Sequence, residues 1–313
     1  MLQQCYTLYM KIAFMGTPQF ARDVLAGLLG HHEIVCVVTQ PDAPVGRGQQ
    51  LQYNPVKTLA LANGIPVLQP VKISTDLESL LAYQPDIIVT CAFGQILRQN
   101  VLDAASFGVI NVHGSLLPHY RGAAPIQWAV IDGATTTGIT IAKTELGLDC
   151  GPIIHQVATS IEPNETAGDL FARLPQVAVP ALLTALTQIE QGTAQFQPQD
   201  ESQVTMAPRL NKEMAKIDWQ RDAVSLANLV RGLNPWPVAY FTLDGEPVKV
   251  YGATALPGQA VVGEIVHASA KTGLVIGCGQ GLLRLDRLQV AGKKVMSGKD
   301  FCNGRNLAKA KIG

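Results

Sequence analysis

The sequence is short of aromatic residues, at 6%, and of charge, at 15%, and its 24 basic and 24 acidic residues cancel. A chain with no net charge carries no global attraction to a polyanion or an anionic membrane. The six cysteines, at 5, 36, 91, 150, 278 and 302, include no Cys-x-x-Cys and follow no regular spacing. That pattern excludes a disulfide-framed secreted domain and a cysteine zinc site. Cys36 and Cys91 fall inside apolar, strand-like runs, where a free thiol acts as a small hydrophobe, and a reducing cytoplasm is the expected location. No apolar run has the length of a membrane span, and the first ten residues lack a charged n-region and cleavage site. Met10 directly precedes the first strand, so residues 1–9 read as a disordered extension. His31, His32, His155 and His267 fall at no metal-binding spacing, and no metal is expected. There is also no Gly-x-Gly-x-x-Gly fingerprint, and a nucleotide site at Gly16-Thr-Pro18 is not favoured.

What is present is a 313-residue chain with 47% hydrophobic residues, enough for two domains and a sizeable core. Lys11–Gly16 and Glu33–Thr39 read as strands around a helix carrying Phe20, Val24, Leu25 and Leu28, with Thr17 placed to cap it and Pro18 at its first position. Strand, helix and strand within some 30 residues make a parallel unit. Further strands follow at 66–68, 86–90, 109–112, 138–143 and 153–160, so an α/β, doubly wound, mostly parallel Rossmann-like sheet is expected over residues 10–196. Thr166 caps a later helix that Pro175 and Pro180 should bend or split.

Residues 197–209 read as a polar linker. Over 210–313, one amphipathic helix (223–232) precedes five short strands at 239–243, 248–251, 263–267, 274–277 and 282–290. Their count and spacing suggest a smaller OB-type β-barrel domain. Charge is unevenly spread: 15 basic against 10 acidic residues from Asp200 onward, and 9 against 14 before it. A basic C-terminal part suits an anionic partner, with Lys293 and Lys294 in a loop as candidate phosphate contacts. The loop at 40–50, with Arg47 between two glycines, is a second candidate.

The chemistry concentrates at Asn111-Val-His-Gly-Ser-Leu-Leu-Pro-His-Tyr-Arg121 and Gly147-Leu-Asp-Cys-Gly151. On a strand, Asn111 and His113 share one face, as a pair that can grip one carbonyl oxygen. Asp149, in a glycine-flanked loop, can reach a cleft and accept a proton, or pair with His113. Ser115 lacks a Gly-x-Ser-x-Gly elbow and Cys150 a Cys/His framework, so no covalent nucleophile is required. Ser115, Leu116, Leu117 and Pro118 read as a pocket wall. Arg121 is open between holding a substrate and a structural role.

Asn-x-His-Gly-Ser-Leu-Leu-Pro, followed by Arg-Gly-Ala-Ala-Pro and Gly-Leu-Asp, resembles the folate-dependent formyltransferases, and more narrowly the branch that formylates methionyl initiator tRNA. The resemblance runs from about Lys11 to the C-terminus. It implies 10-formyltetrahydrofolate as the formyl donor, with its folate portion on Ser115–Pro118. It implies initiator methionyl-tRNA as the acceptor, an Asn111/His113/Asp149 catalytic set, and tRNA contacts from Arg47, Arg121, Lys293 and Lys294. A monomer without membrane attachment is expected. The flanks of Arg47 (Ala43, Gln49, Gln50) are less basic than such a loop would need. The rival reading is a formyltransferase acting on a UDP-aminosugar. Gly46-Arg-Gly48, Asn234-Pro-Trp-Pro237 and Ala291–Ser297 favour the tRNA branch.

Overall fold

The computed structural model describes residues 10–45, 50–307 and 310–313. The Arg47 contact expected above lies outside the described residues. The described chain forms two compact units, one of residues 10–123, 138–159 and 172–206, the other of 124–137, 160–171 and 207–313. The stretches 124–137 and 160–171, although flanked in sequence by the first unit, pack with the second.

In the first unit β1 (Lys11–Gly16), α1 (Gln19–Leu28), β2 (Glu33–Val38), α2 (Pro55–Ala62) and β3 (Val67–Leu68) follow one another. Then come β4 (Ile87–Cys91), β5 (Val109–His113), β6 (Thr136–Lys143), β7 (Ile153–Ser160) and α3 (Pro175–Glu190). The seven strands are ordered β7-β6-β5-β4-β1-β2-β3. β1 to β5 run parallel, and β6 lies antiparallel to β5. This is the mostly parallel, doubly wound sheet expected from the sequence. β4 is buried along its whole length, as a strand covered on both faces must be. α1 turns Phe20, Ala21, Val24, Leu25 and Leu28 inward, each large side chain contributing about 1.5–3 kcal/mol by burial. Strand order reverses beside β1, and in open α/β sheets ligands bind outside the carboxyl ends of strands at such a point.

Thr17 does not cap α1: the cap position is Pro18, with no side-chain bond. The Thr17 hydroxyl instead donates to the Phe93 carbonyl (3.4 Å) and accepts from the Gln40 N–H (3.4 Å). It joins the loops that leave β1, β2 and β4, so tertiary partners outcompete the local cap. The later helix does split before Pro175, while Pro180 is carried inside α3. Thr166 and Asp169 form the reciprocal cap, Thr166 Oγ1 accepting from the Asp169 N–H at 3.2 Å and Asp169 Oδ2 from the Thr166 N–H at 3.0 Å.

In the second unit the helix Pro125–Ile131 packs on α4 (Ala223–Gly232), where Gly232 lies so close that an added Cβ would sit 2.4 Å from Ile131. The sheet consists of β8 (Ala239–Leu243), β9 (Glu246–Leu256), β10 (Ile265–Ser269), β11 (Gly273–Gly277), β12 (Leu282–Val290) and β13 (Met296–Ser297), followed by α5 (Gly298–Cys302). Its order is β8-β9-β12-β11-β10, with β13 on β12, and the pairings are antiparallel. The five expected strands are all present. β9 is longer than its sequence pattern because bulges around Gly252 let it follow β12 to Leu256. Among the described residues no single helix is long and apolar enough to cross a membrane.

Burial pushes the Cys36 thiol up to about 12 and raises Cys91 as well, while Cys150 is only half-buried. In native protein at pH 8, a maleimide read out by peptide mass spectrometry is expected to label Cys150 within minutes. Cys36 and Cys91 should react only after unfolding; prompt labelling of either would contradict the packing.

Candidate active site

β5 ends in Asn111-Val-His113, next to the carboxyl end of β4, where Thr90 stands in register with Asn111. The period of two puts Val112 in the core and brings Asn111 and His113 out on the same side. The Thr90 hydroxyl donates to Asn111 Oδ1 at 2.8 Å, and Asn111 Nδ2 donates to Asp149 Oδ1 at 3.3 Å. The Asp149 contact fixes the orientation of the amide, since an ionised carboxylate can only accept, and the Thr90 hydroxyl then donates to Oδ1. The Asn111 amide has a second N–H, available to a substrate oxygen.

His113 is buried, and its Nε2 lies 2.9 Å from the Tyr120 carbonyl. A carbonyl has no proton to give, so Nε2 carries the hydrogen and donates. In the neutral ring Nδ1 is then left with its lone pair, and it lies 3.7 Å from Asp149 Oδ1. Two acceptors facing each other at that separation form a place where an incoming proton is stabilised by both.

Asp149 is delivered by its loop in a left-handed conformation, φ 49°. An L-residue adopts this region only at a cost, so the surrounding structure must hold it. Oδ2 accepts from the Gly122 N–H at 2.9 Å, and the backbone carbonyl of Asp149 accepts from Gln199 Nε2 at 2.8 Å. Gln199 Nε2 also donates to the Gly151 carbonyl at 2.7 Å. Gly151 is pinned from the other side, because a Cβ there would fall 1.8 Å from the Lys143 carbonyl. Ala92 (φ 47°), just after β4, and Tyr120 (φ 61°) are further non-glycine residues in the left-handed region around this site.

The segment after β5 is tied down from β6 and β7. Thr140 Oγ1 donates to the Ser115 carbonyl (2.6 Å) and accepts from the Leu117 N–H (3.1 Å). Gln156 Nε2 donates to the Leu117 carbonyl (2.7 Å). Ser115 Oγ donates to the His119 carbonyl (2.6 Å), so its hydroxyl holds the turn. Leu117 is buried, Leu116 and Pro118 are half-buried, and the Leu117–Pro118 peptide is cis. A fixed wall with an apolar surface thus continues directly from Asn111 and His113.

Arg121 is buried, at 6% exposure. Its Nε and one terminal nitrogen donate to Gln199 Oε1 (3.0 and 2.8 Å), and its two terminal nitrogens make a fork on Glu201 (3.1 and 2.7 Å). That hydrogen bonding holds the Glu201 carboxyl below its usual range. These contacts are what the structural alternative for Arg121 requires. Lys293 and Lys294 are exposed in the second unit, in the turn after β12. Arg284, on β12 itself, pairs with Asp286 at 2.6 Å. Among the described residues no cluster of His, Cys, Asp or Glu could hold a metal ion.

The structure therefore gathers Asn111, His113 and Asp149, sets Ser115–Pro118 beside them, and puts Arg121 behind Asp149. Thr90, Tyr120, Gly122 and Gln199 were not picked out in the sequence. Thr90 could have been found from its place at the end of a buried strand. The other three act through backbone atoms or from a stretch read as linker, which leaves no side-chain pattern.

An amide donor, an imidazole and a carboxylate meet beyond the carboxyl end of β5, a set that can stabilise an oxyanion and take up a proton. The chain belongs to the formyl transferase family: its N-terminal model matches residues 10–186, and the formyl transferase C-terminal domain matches 209–306. It is 47% identical to a methionyl-tRNA formyltransferase of Pseudomonas fluorescens and 48% identical to one of Pseudomonas putida, over 95% of this chain and 93% and 96% of theirs. In fold it is similar to a Helicobacter canadensis N-formyltransferase in complex with folinic acid and dTDP-3-aminofucose (TM-score 0.67, 18% identity, 88% of this chain and 99% of that one). It is also similar to HypX of Aquifex aeolicus in complex with tetrahydrofolic acid (TM-score 0.64, 17% identity, 94% and 47%).

Thr90→Val removes the hydrogen bond to the Asn111 oxygen and leaves the amide held by Asp149 alone, free to tilt out of line. Because a complete oxyanion donor carries about 10²–10³ in rate, misorienting one is expected to lower kcat for formyl transfer roughly tenfold, with Thr90→Ser near wild type. Equal rates for Thr90→Val and wild type, measured in steady state, would refute the anchoring.

Proposed function

We propose that the chain transfers the formyl group of 10-formyltetrahydrofolate to the α-amine of methionine carried on initiator tRNA. The observation that carries this reading is the placement of the Asn111 amide and the His113–Asp149 pair around one point, in a chain nearly half identical to methionyl-tRNA formyltransferases along its length. The amine attacks the formyl carbon, and the oxygen becomes negative in the tetrahedral intermediate. The second N–H of Asn111 donates to that oxygen. The proton lost by the amine goes to His113 Nδ1 or the Asp149 carboxylate, and the positive ring is stabilised by the carboxylate at 3.7 Å. Collapse breaks the bond to N10 of the folate, which takes a proton back as tetrahydrofolate leaves.

In this reading the rigid wall Ser115-Leu-Leu-Pro118 supports the folate portion. The exposed Lys293 and Lys294, with Arg47, supply salt-dependent contacts to tRNA phosphates. The sugar-nucleotide alternative has in its favour the fold shared with the Helicobacter enzyme, at an identity that supports the fold alone.

The test is single-turnover transfer of labelled formyl with charged methionyl-tRNA and a UDP-aminosugar competing as acceptors. Label is expected on methionyl-tRNA, and Asn111→Ala is expected to lower the rate by about 10²–10³. Label on the sugar would transfer the chain to the rival substrate class, and an unimpaired Asn111→Ala would remove the oxyanion role.

A further inference from the structure

We propose that Gln199, in the stretch that reads as a linker, is a positioning residue that holds Asp149 in its working place and is itself oriented by Arg121; this rests on the formyl-transfer reading above. Arg121 has only donors to offer. Its Nε and a terminal nitrogen lie 3.0 and 2.8 Å from the Gln199 side chain, so the oxygen of that amide must face the guanidinium. The amide nitrogen must then face the other way, and there it donates both hydrogens, to the carbonyls of Asp149 and Gly151 at 2.8 and 2.7 Å. The amide is therefore fully used, and its orientation is decided by chemistry rather than by assignment of similar atoms.

Those two carbonyls belong to Asp149 itself and to the glycine two residues beyond it, so Gln199 holds the turn at both ends. Asp149 is in the left-handed region, and Gly151 is wedged against the Lys143 carbonyl. Gly122, the residue after Arg121, gives its N–H to Asp149 Oδ2. The short segment Arg121-Gly122 thus holds Asp149 twice, directly at the carboxylate and through Gln199 at the backbone. Glu201 fixes the far end of the guanidinium with a two-point fork. Gln199 acts through Asp149 and touches no reacting atom itself.

The test is a double-mutant cycle in single-turnover formyl transfer to methionyl-tRNA, with wild type, Gln199→Met, Asp149→Ala and the double variant, each checked by thermal melting. Since misplacing a catalytic group by about an ångström can cost up to about 10²-fold, Gln199→Met is expected to lose roughly 10- to 100-fold in rate at saturation. KM for either substrate should move less than about threefold. In the Asp149→Ala background the same change should cost little more. Gln199→Asn keeps the amide but cannot span Arg121 and both carbonyls, so it serves if Gln199→Met does not fold, and it should show the same loss. A folded Gln199→Met or Gln199→Asn within about twofold of wild type would overturn the positioning role, as would losses that multiply in full with Asp149→Ala. Wild type that transfers no formyl would overturn the functional reading and this proposal with it.

Discussion

Everything at this site depends on one carboxylate being held where its own backbone would rather not put it. Asp149 sits in a left-handed turn and is held from three sides, by the Gly122 N–H, the Gln199 amide and the Asn111 side chain. Each holder is in turn held: Asn111 by Thr90 on the neighbouring strand, Gln199 by the buried Arg121. A carboxylate so fixed needs no reorganisation when charge moves, which is the main way a preorganised polar site lowers a barrier.

The same arrangement decides the chemistry open to His113. Its Nε2 is committed to the Tyr120 carbonyl, which directs the basic nitrogen toward Asp149. Donor and acceptor functions are thereby divided between neighbours: in the proposed reaction Asn111 serves the developing oxyanion and the His113–Asp149 pair the departing proton. A direct attack by an amine asks for these two services, and neither requires a nucleophile in the protein.

Much of this was legible in the residues, for physical reasons that differ by element. The parallel sheet showed through apolar runs such as Ile87–Cys91, because a strand buried on both faces must be apolar throughout. Asn111 and His113 were readable because a period of two fixes their common side. The small antiparallel domain showed through short runs and turns, though β9 ran past its pattern because its bulges depend on the partner strand. What stayed hidden was made by atoms with no sequence signal. The Tyr120 carbonyl and the Gly122 N–H exist in any residue, and only the fold brings them to the site. Thr17 looked like a cap because capping is a local rule, and it lost to loops more than twenty residues away. Gln199 looked like linker, and Arg121 could be weighed but not decided, since both take their meaning from each other. The packing of residues 124–137 and 160–171 with the second unit likewise has no local cause.

The direction of proton transfer follows from the tautomer of His113. Nitrogen-15 NMR of imidazole-labelled protein, with His113 assigned by its substitution with Gln, reads the two ring nitrogens separately. The expected result, at a pH where the ring is neutral, is hydrogen on Nε2 and a bare Nδ1. Hydrogen on Nδ1 with a bare Nε2 would place the lone pair against the Tyr120 carbonyl and contradict the mechanism.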